Sequence, residues 1–65
     1  MNTPTKQEIF KACIYALDGL EISYDAQIAL GLPDVDKYGD RYYPTNIELR
    51  VAAIKWLAEN IQFKP

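Results

Sequence analysis

Apolar residues recur along the chain at the spacing of three helices, and each run is bounded by residues that start or stop a helix. In the first run, Ile9, Phe10, Cys13, Ile14, Ala16, Leu17 and Leu20 mostly fall at steps of three and four, which puts side chains on one side of a helix. Ahead of them, Thr5 and Glu8 have the spacing of a capping box. In that motif the hydroxyl accepts from an amide of the first turn, and the carboxylate reaches back to the cap's own N–H. Gly19 marks the stop, because a residue without Cβ takes the left-handed conformation freely. The pattern predicts a helix over about 6–18. A shorter helix is predicted over about 24–30, capped by Ser23, with Asp25 facing the helix dipole in the first turn. Its apolar side is Ile28, Ala29, Leu30 and Leu32, and Gly31 and Pro33 end it.

A second capping box, Thr45 and Glu48, opens a run without Gly or Pro that predicts a helix over about 46–61. At about 100° per residue, Ile47, Val51, Ile54, Leu57, Ala58 and Ile61 share one broad face, expected to be the main core face. Leu49, Ala52, Ala53, Trp56 and Phe63 form a second apolar patch, and Glu48, Lys55, Glu59 and Gln62 a narrow polar strip. A helix apolar around most of its girth is usually buried on more than one side. The first two helices are expected to sandwich it, or else a partner covers the second patch. Arg50 lies near the centre of the broad face. An unpaired charge there is costly, so Arg50 is expected to pair with Asp18, Glu21 or Asp25, the favoured outcome, or else to snorkel past the helix end or meet a partner.

The segment from Asp34 to Pro44 is polar and carries Tyr38, Tyr42 and Tyr43 beside Arg41. It is long for a helix–helix connection. Gly39-Asp40 could turn a small hairpin with Val35 and Tyr42 on its arms. The predicted fold class is therefore mainly α: a compact three-helix domain with a Tyr-rich loop or short hairpin at 34–44, as a single domain over 1–65.

Size sharpens the picture. A chain of 65 residues buries only about 60% of its unfolded surface, and one small core supplies roughly 3–5 kcal/mol. One cysteine and no histidine leave no intramolecular disulfide and no zinc site as a staple. Good helix packing or association remains, which raises the expectation of a homo-oligomer or a bound partner. Formal net charge is −2, from seven basic and nine acidic residues, not the basic footprint of a nucleic-acid binder. No apolar run reaches the ~18 residues of a membrane span, and the first residues lack a secretion signal. Cys13 in an apolar stripe fits a reducing cytoplasm. A complete helical product of this length and charge also fits a phage or mobile-element source.

Candidate chemistry is sparse. Nucleophilic catalysis needs a nucleophile and a base within reach. Cys13 sits on an apolar face and Ser23 serves as a cap, so no catalytic residue and no cofactor is assigned. Asp34-x-Asp36-x-x-Gly39 begins like a calcium loop. It then places Tyr38 at the fifth position and Thr45 at the twelfth, where oxygen ligands are required, so no metal is assigned. A helix-turn-helix needs a turn of three or four residues, and Pro33 with a polar loop stands there instead. The expected function is a non-catalytic protein–protein interaction module: an adaptor, an inhibitor or a self-assembling subunit. Its partner-binding residues are expected to be Tyr38, Arg41, Tyr42, Tyr43 and Trp56, because tyrosine, tryptophan and arginine dominate interface hot spots. Leu49 and Phe63 would flank Trp56, and Tyr15 is a further exposed aromatic. The alternative is a small multimeric nucleic-acid-binding subunit using Lys6, Lys11, Arg41 and Arg50.

Overall fold

Both capping boxes form. A computed structural model describes residues 3–61, arranged as α1 (Lys6–Leu17), α2 (Tyr24–Ala29) and α3 (Asn46–Asn60). Thr5 Oγ1 accepts from the Glu8 amide at 3.1 Å, and Glu8 Oε1 accepts from the Thr5 amide at 3.0 Å. Thr45 and Glu48 repeat the arrangement at 3.2 and 3.0 Å. Ser23 Oγ caps α2 by accepting from the Ala26 amide at 3.2 Å. Gly19 follows α1 at φ +78° and Gly31 follows α2 at φ +84°; both conformations would strain any residue with a Cβ. The protein is mainly helical, and no strand forms among the described residues.

α1 packs against both α3 and α2. The core is built from small residues: Ala12, Cys13 and Ala16 of α1, Ala26 of α2, and Ala52 and Ala53 of α3, with Leu49, at 7% exposure, the one large apolar side chain buried with them among the described residues. Ile9, Ile22, Leu30, Leu32, Trp56 and Leu57 close around it, each partly exposed. Small side chains let two helices approach to the near end of the usual 8–10 Å separation.

This packing reverses the faces of α3. Leu49, Ala52 and Ala53 point inward, while Ile47, Val51 and Ile54 are 72%, 59% and 57% exposed. Ala58 is exposed as well, and only Leu57 and Ile61 of the broad face are partly buried. The expected main core face is thus largely outside, and Leu49 is core rather than docking surface. The cause is steric match. Leu49 and Ala53 pack with Cys13 and Ala16 of α1, whereas a row of branched side chains would hold the helices apart. The sandwich is also absent, since neither α1 nor α2 covers the outer stripe. Arg50 is exposed and forms no ion pair with Asp18, Glu21 or Asp25; on a face open to water, its charge needs none. Gln62 and Phe63, assigned above to the polar strip and the second patch, lie outside the described residues.

Candidate functional site

The 34–44 segment folds as a very short hairpin. Val35 and Arg41 form an antiparallel bridge, and Gly39 takes φ +82° at the turn. Asp36 organises the turn: its Oδ1 accepts from the amides of Tyr38 at 2.8 Å and Asp40 at 3.1 Å. Asp34 Oδ1 accepts from the Val35 amide at 2.9 Å. The two aspartates that resemble calcium ligands are thus engaged as turn formers. Among the described residues, no group of three His, Cys, Asp or Glu side chains is placed to hold a metal ion.

Gln27 of α2 ties this hairpin to the helices. It is 1% exposed, and its Nε2 donates to the carbonyls of Pro33 at 2.8 Å and Tyr42 at 2.7 Å. Its Oε1 accepts from Arg41 Nη2 at 3.3 Å, and that nitrogen also donates to the Ile22 carbonyl at 3.4 Å. The Arg41 guanidinium lies 5.3 Å from the Tyr24 ring centre and 5.1 Å from that of Tyr43, within the range of cation–π attraction. Its Nε is buried without a partner. Arg41 and Tyr43 line a cleft of about 190 Å³ together with Glu21, Gln27 and Asn46. The pattern of residue types singled out Arg41, Tyr42 and Tyr43 but missed Tyr24 and Gln27. A glutamine within a two-turn helix, followed by a proline-led loop short of donors, was the available signal.

Tyr42 turns toward α3 and donates its hydroxyl to Glu48, at 2.7 Å from Oε2 and 2.9 Å from Oε1. The Thr45 amide first, and the Tyr42 hydroxyl second, hold Glu48 below the ordinary carboxylate value of 4.5. The hydrogen bond to Glu48, followed by burial, raises Tyr42 above 10.0. Glu48 therefore adds stability above its unfolded value, and this is lost as pH falls through the lowered folded value. Tyr42 adds stability below its unfolded value, and this is lost as pH rises through the raised folded value. Tyr42→Phe should lower the melting temperature most near neutrality and narrow its difference from the parent in acid and alkali. Melting curves at intervals from about pH 3 to about pH 11 check this, and a difference independent of pH would contradict the bond.

The remaining expected contact residues are dispersed. Tyr38 sits at the hairpin tip, 77% exposed, with Lys37 Nζ 5.1 Å above its ring. Tyr43 is 72% exposed despite its contact with Arg41. Trp56 is partly buried against the core, on the side of α3 away from Ile47, Val51 and Ile54. Ile47, Val51 and Ile54 of that α3 stripe, which the helical period had assigned to the core, are each more than half exposed. Cys13 is fully buried, and burial pushes its thiol up from the usual value; the Ser23 hydroxyl is engaged at its cap. No family model matches the chain, and no curated protein or solved structure is significantly similar to it. Among the described residues, no helix is long and apolar enough to cross a membrane.

Proposed function

We propose that this chain is a non-catalytic protein-interaction module, a self-assembling subunit or an adaptor or inhibitor, that works in the cytoplasm. The observation that carries the reading is the outward stripe of α3, where Ile47, Val51 and Ile54 are each more than half exposed on a helix already anchored by its opposite face. Contiguous apolar surface of this kind marks interaction sites. Tyr38 and Tyr43 add exposed aromatic anchors on a hairpin held rigid by Gln27, and rigid anchors bind at low entropic cost. Tyr42 and Trp56 contribute indirectly, since one holds Glu48 and the other packs on the core. The nucleic-acid reading draws no support from the charges: Arg41 is half-buried, flanked by Tyr24 and Tyr43, and engaged by Gln27 and Ile22.

The test compares the parent with Val51→Ser/Ile54→Ser on the stripe and with Tyr38→Ala/Tyr43→Ala on the hairpin. Both variants alter exposed residues and should keep the parent's helical circular dichroism. The expected result is that the stripe variant loses association, measured as self-association by light scattering and as retention of any partner by affinity capture. Undiminished association in both folded variants would overturn the reading.

A further inference from the structure

We propose that the α3 stripe is occupied by a second copy of this chain, packed antiparallel along α3 about a two-fold axis near residues 52 and 53. This rests on the interaction reading above and names its partner.

Ile47, Val51, Ile54 and Ala58 follow one another at steps of four, three and four, which is the spacing of a helix–helix seam. All four are exposed. With the axis between Val51 and Ile54, Ile47 of one copy lies against Ala58 of the other, and Val51 lies against Ile54. Each symmetry-repeated layer joins a larger side chain to a smaller one.

The edges of the seam select the orientation. Glu48 and Lys55 are seven residues apart, so they lie on the same edge; Arg50 lies on the other. In an antiparallel two-fold pair, each edge meets its own reverse. Glu48, whose carboxylate already accepts from Tyr42 and Thr45, then lies beside the second copy's Lys55, with Glu59 farther from the seam on the same edge, and the contact occurs twice. In a parallel pair, opposite edges meet, and Arg50 faces the second copy's Lys55 twice, which is repulsive. In the antiparallel pair the two Arg50 side chains share the far edge, where long stems let the guanidinium groups stay in water. Complementarity of one edge to its own reverse is what an isologous contact requires and what an unrelated partner would not need.

The need for association is visible in the core. Among the described residues, Leu49 is the one large apolar side chain counted as buried, while Phe10, Ile14, Leu17 and Leu20 on and after α1, and the α3 stripe, remain exposed. A domain so lightly filled gains stability by covering apolar surface with a copy of itself. Four layers along one helix form a short seam beside the roughly 1,200–2,000 Å² of stable interfaces, so the expected dimer is reversible.

The test uses Ile47→Cys and Ala58→Cys, made separately, mixed in equal amounts and oxidised mildly. Cys13 is fully buried and stays silent. The expected product is the mixed 47–58 disulfide, in excess over both same-site products and over the same mixture oxidised in denaturant. A predominance of 47–47 and 58–58 products would mean a parallel pair and overturn the proposal. Product ratios equal to those in denaturant would overturn self-association, leaving capture of another protein, lost in the Val51→Ser/Ile54→Ser variant, to decide the broader reading.

Discussion

Replacing Gln27 with methionine is expected to remove most of the protein's stability. The substitution keeps side-chain length and removes every polar atom. The Pro33 and Tyr42 carbonyls lose their donor, at 2.8 and 2.7 Å in the parent, and Arg41 Nη2 loses its side-chain acceptor. Leaving a buried polar group unpaired costs about 1–3 kcal/mol; two carbonyls are affected, both in part-buried contacts that water can partly reach, so a loss in the lower part of the summed range, about 2–4 kcal/mol, is expected. That approaches the roughly 3–5 kcal/mol a core of this size supplies. For a domain this small, each kcal/mol shifts the melting temperature by roughly 4–8 °C, so the variant should be substantially unfolded at room temperature or melt with little cooperativity. Urea unfolding followed by circular dichroism measures it. A midpoint equal to the parent's would show that the 34–44 hairpin is held by something other than Gln27.

The large effect follows from geometry. The hairpin makes one bridge of its own, between Val35 and Arg41, so its place depends on side chains that reach it from the helices. Gln27 holds both of its ends, through Pro33 and Tyr42, and Tyr42 in turn reaches Glu48 at the start of α3. Arg41, and with it Tyr43, takes its position from the same glutamine. The exposed aromatics proposed as anchors are therefore presented by a buried polar contact within α2.

Local signals were legible in the sequence because their physics is local. Thr5 with Glu8 and Thr45 with Glu48 fix two helix starts through contacts three residues apart. Gly19, Gly31 and Gly39 mark the places where φ turns positive. The turn at Gly39 and its neighbour Asp40 was likewise readable from residue type. What could not be read was which side of α3 faces the core. Helical period shows that Ile47, Val51 and Ile54 share a side, and hydrophobicity favours burying that side. The choice is made instead by α1, whose Cys13 and Ala16 pack with Leu49 and Ala53, and a contact between segments some forty residues apart leaves no trace in either segment alone. Arg50 was misread for the same reason: once that side is outside, a charge on it needs no partner. Of the candidate contact residues, Arg41, Tyr42 and Tyr43 are brought together by the hairpin, Tyr38 stands at its tip, and Trp56 packs against the core.

The second large effect is a difference in reactivity between two thiols in one molecule. In Ile54→Cys, the introduced side chain replaces one that is 57% exposed, while native Cys13 is 0% exposed. The introduced thiol should react with a small alkylating reagent at the rate of a free peptide thiol. Cys13 can react only when the domain opens, and burial also raises its pKa, which lowers the thiolate fraction. With opening costing roughly 3–5 kcal/mol, Cys13 should be slower by a factor on the order of 10² to 10³ or more. The labelling rates of Cys13 and of the thiol introduced by Ile54→Cys at low protein concentration, read by mass spectrometry, test most directly the claim that α3 turns its branched apolar stripe outward to meet a partner. Fast reaction at 54 beside a protected Cys13, with protection at 54 rising as protein concentration is increased, is the result this structure predicts; protection of 54 equal to that of Cys13 in dilute monomer would place the stripe in the core and contradict it.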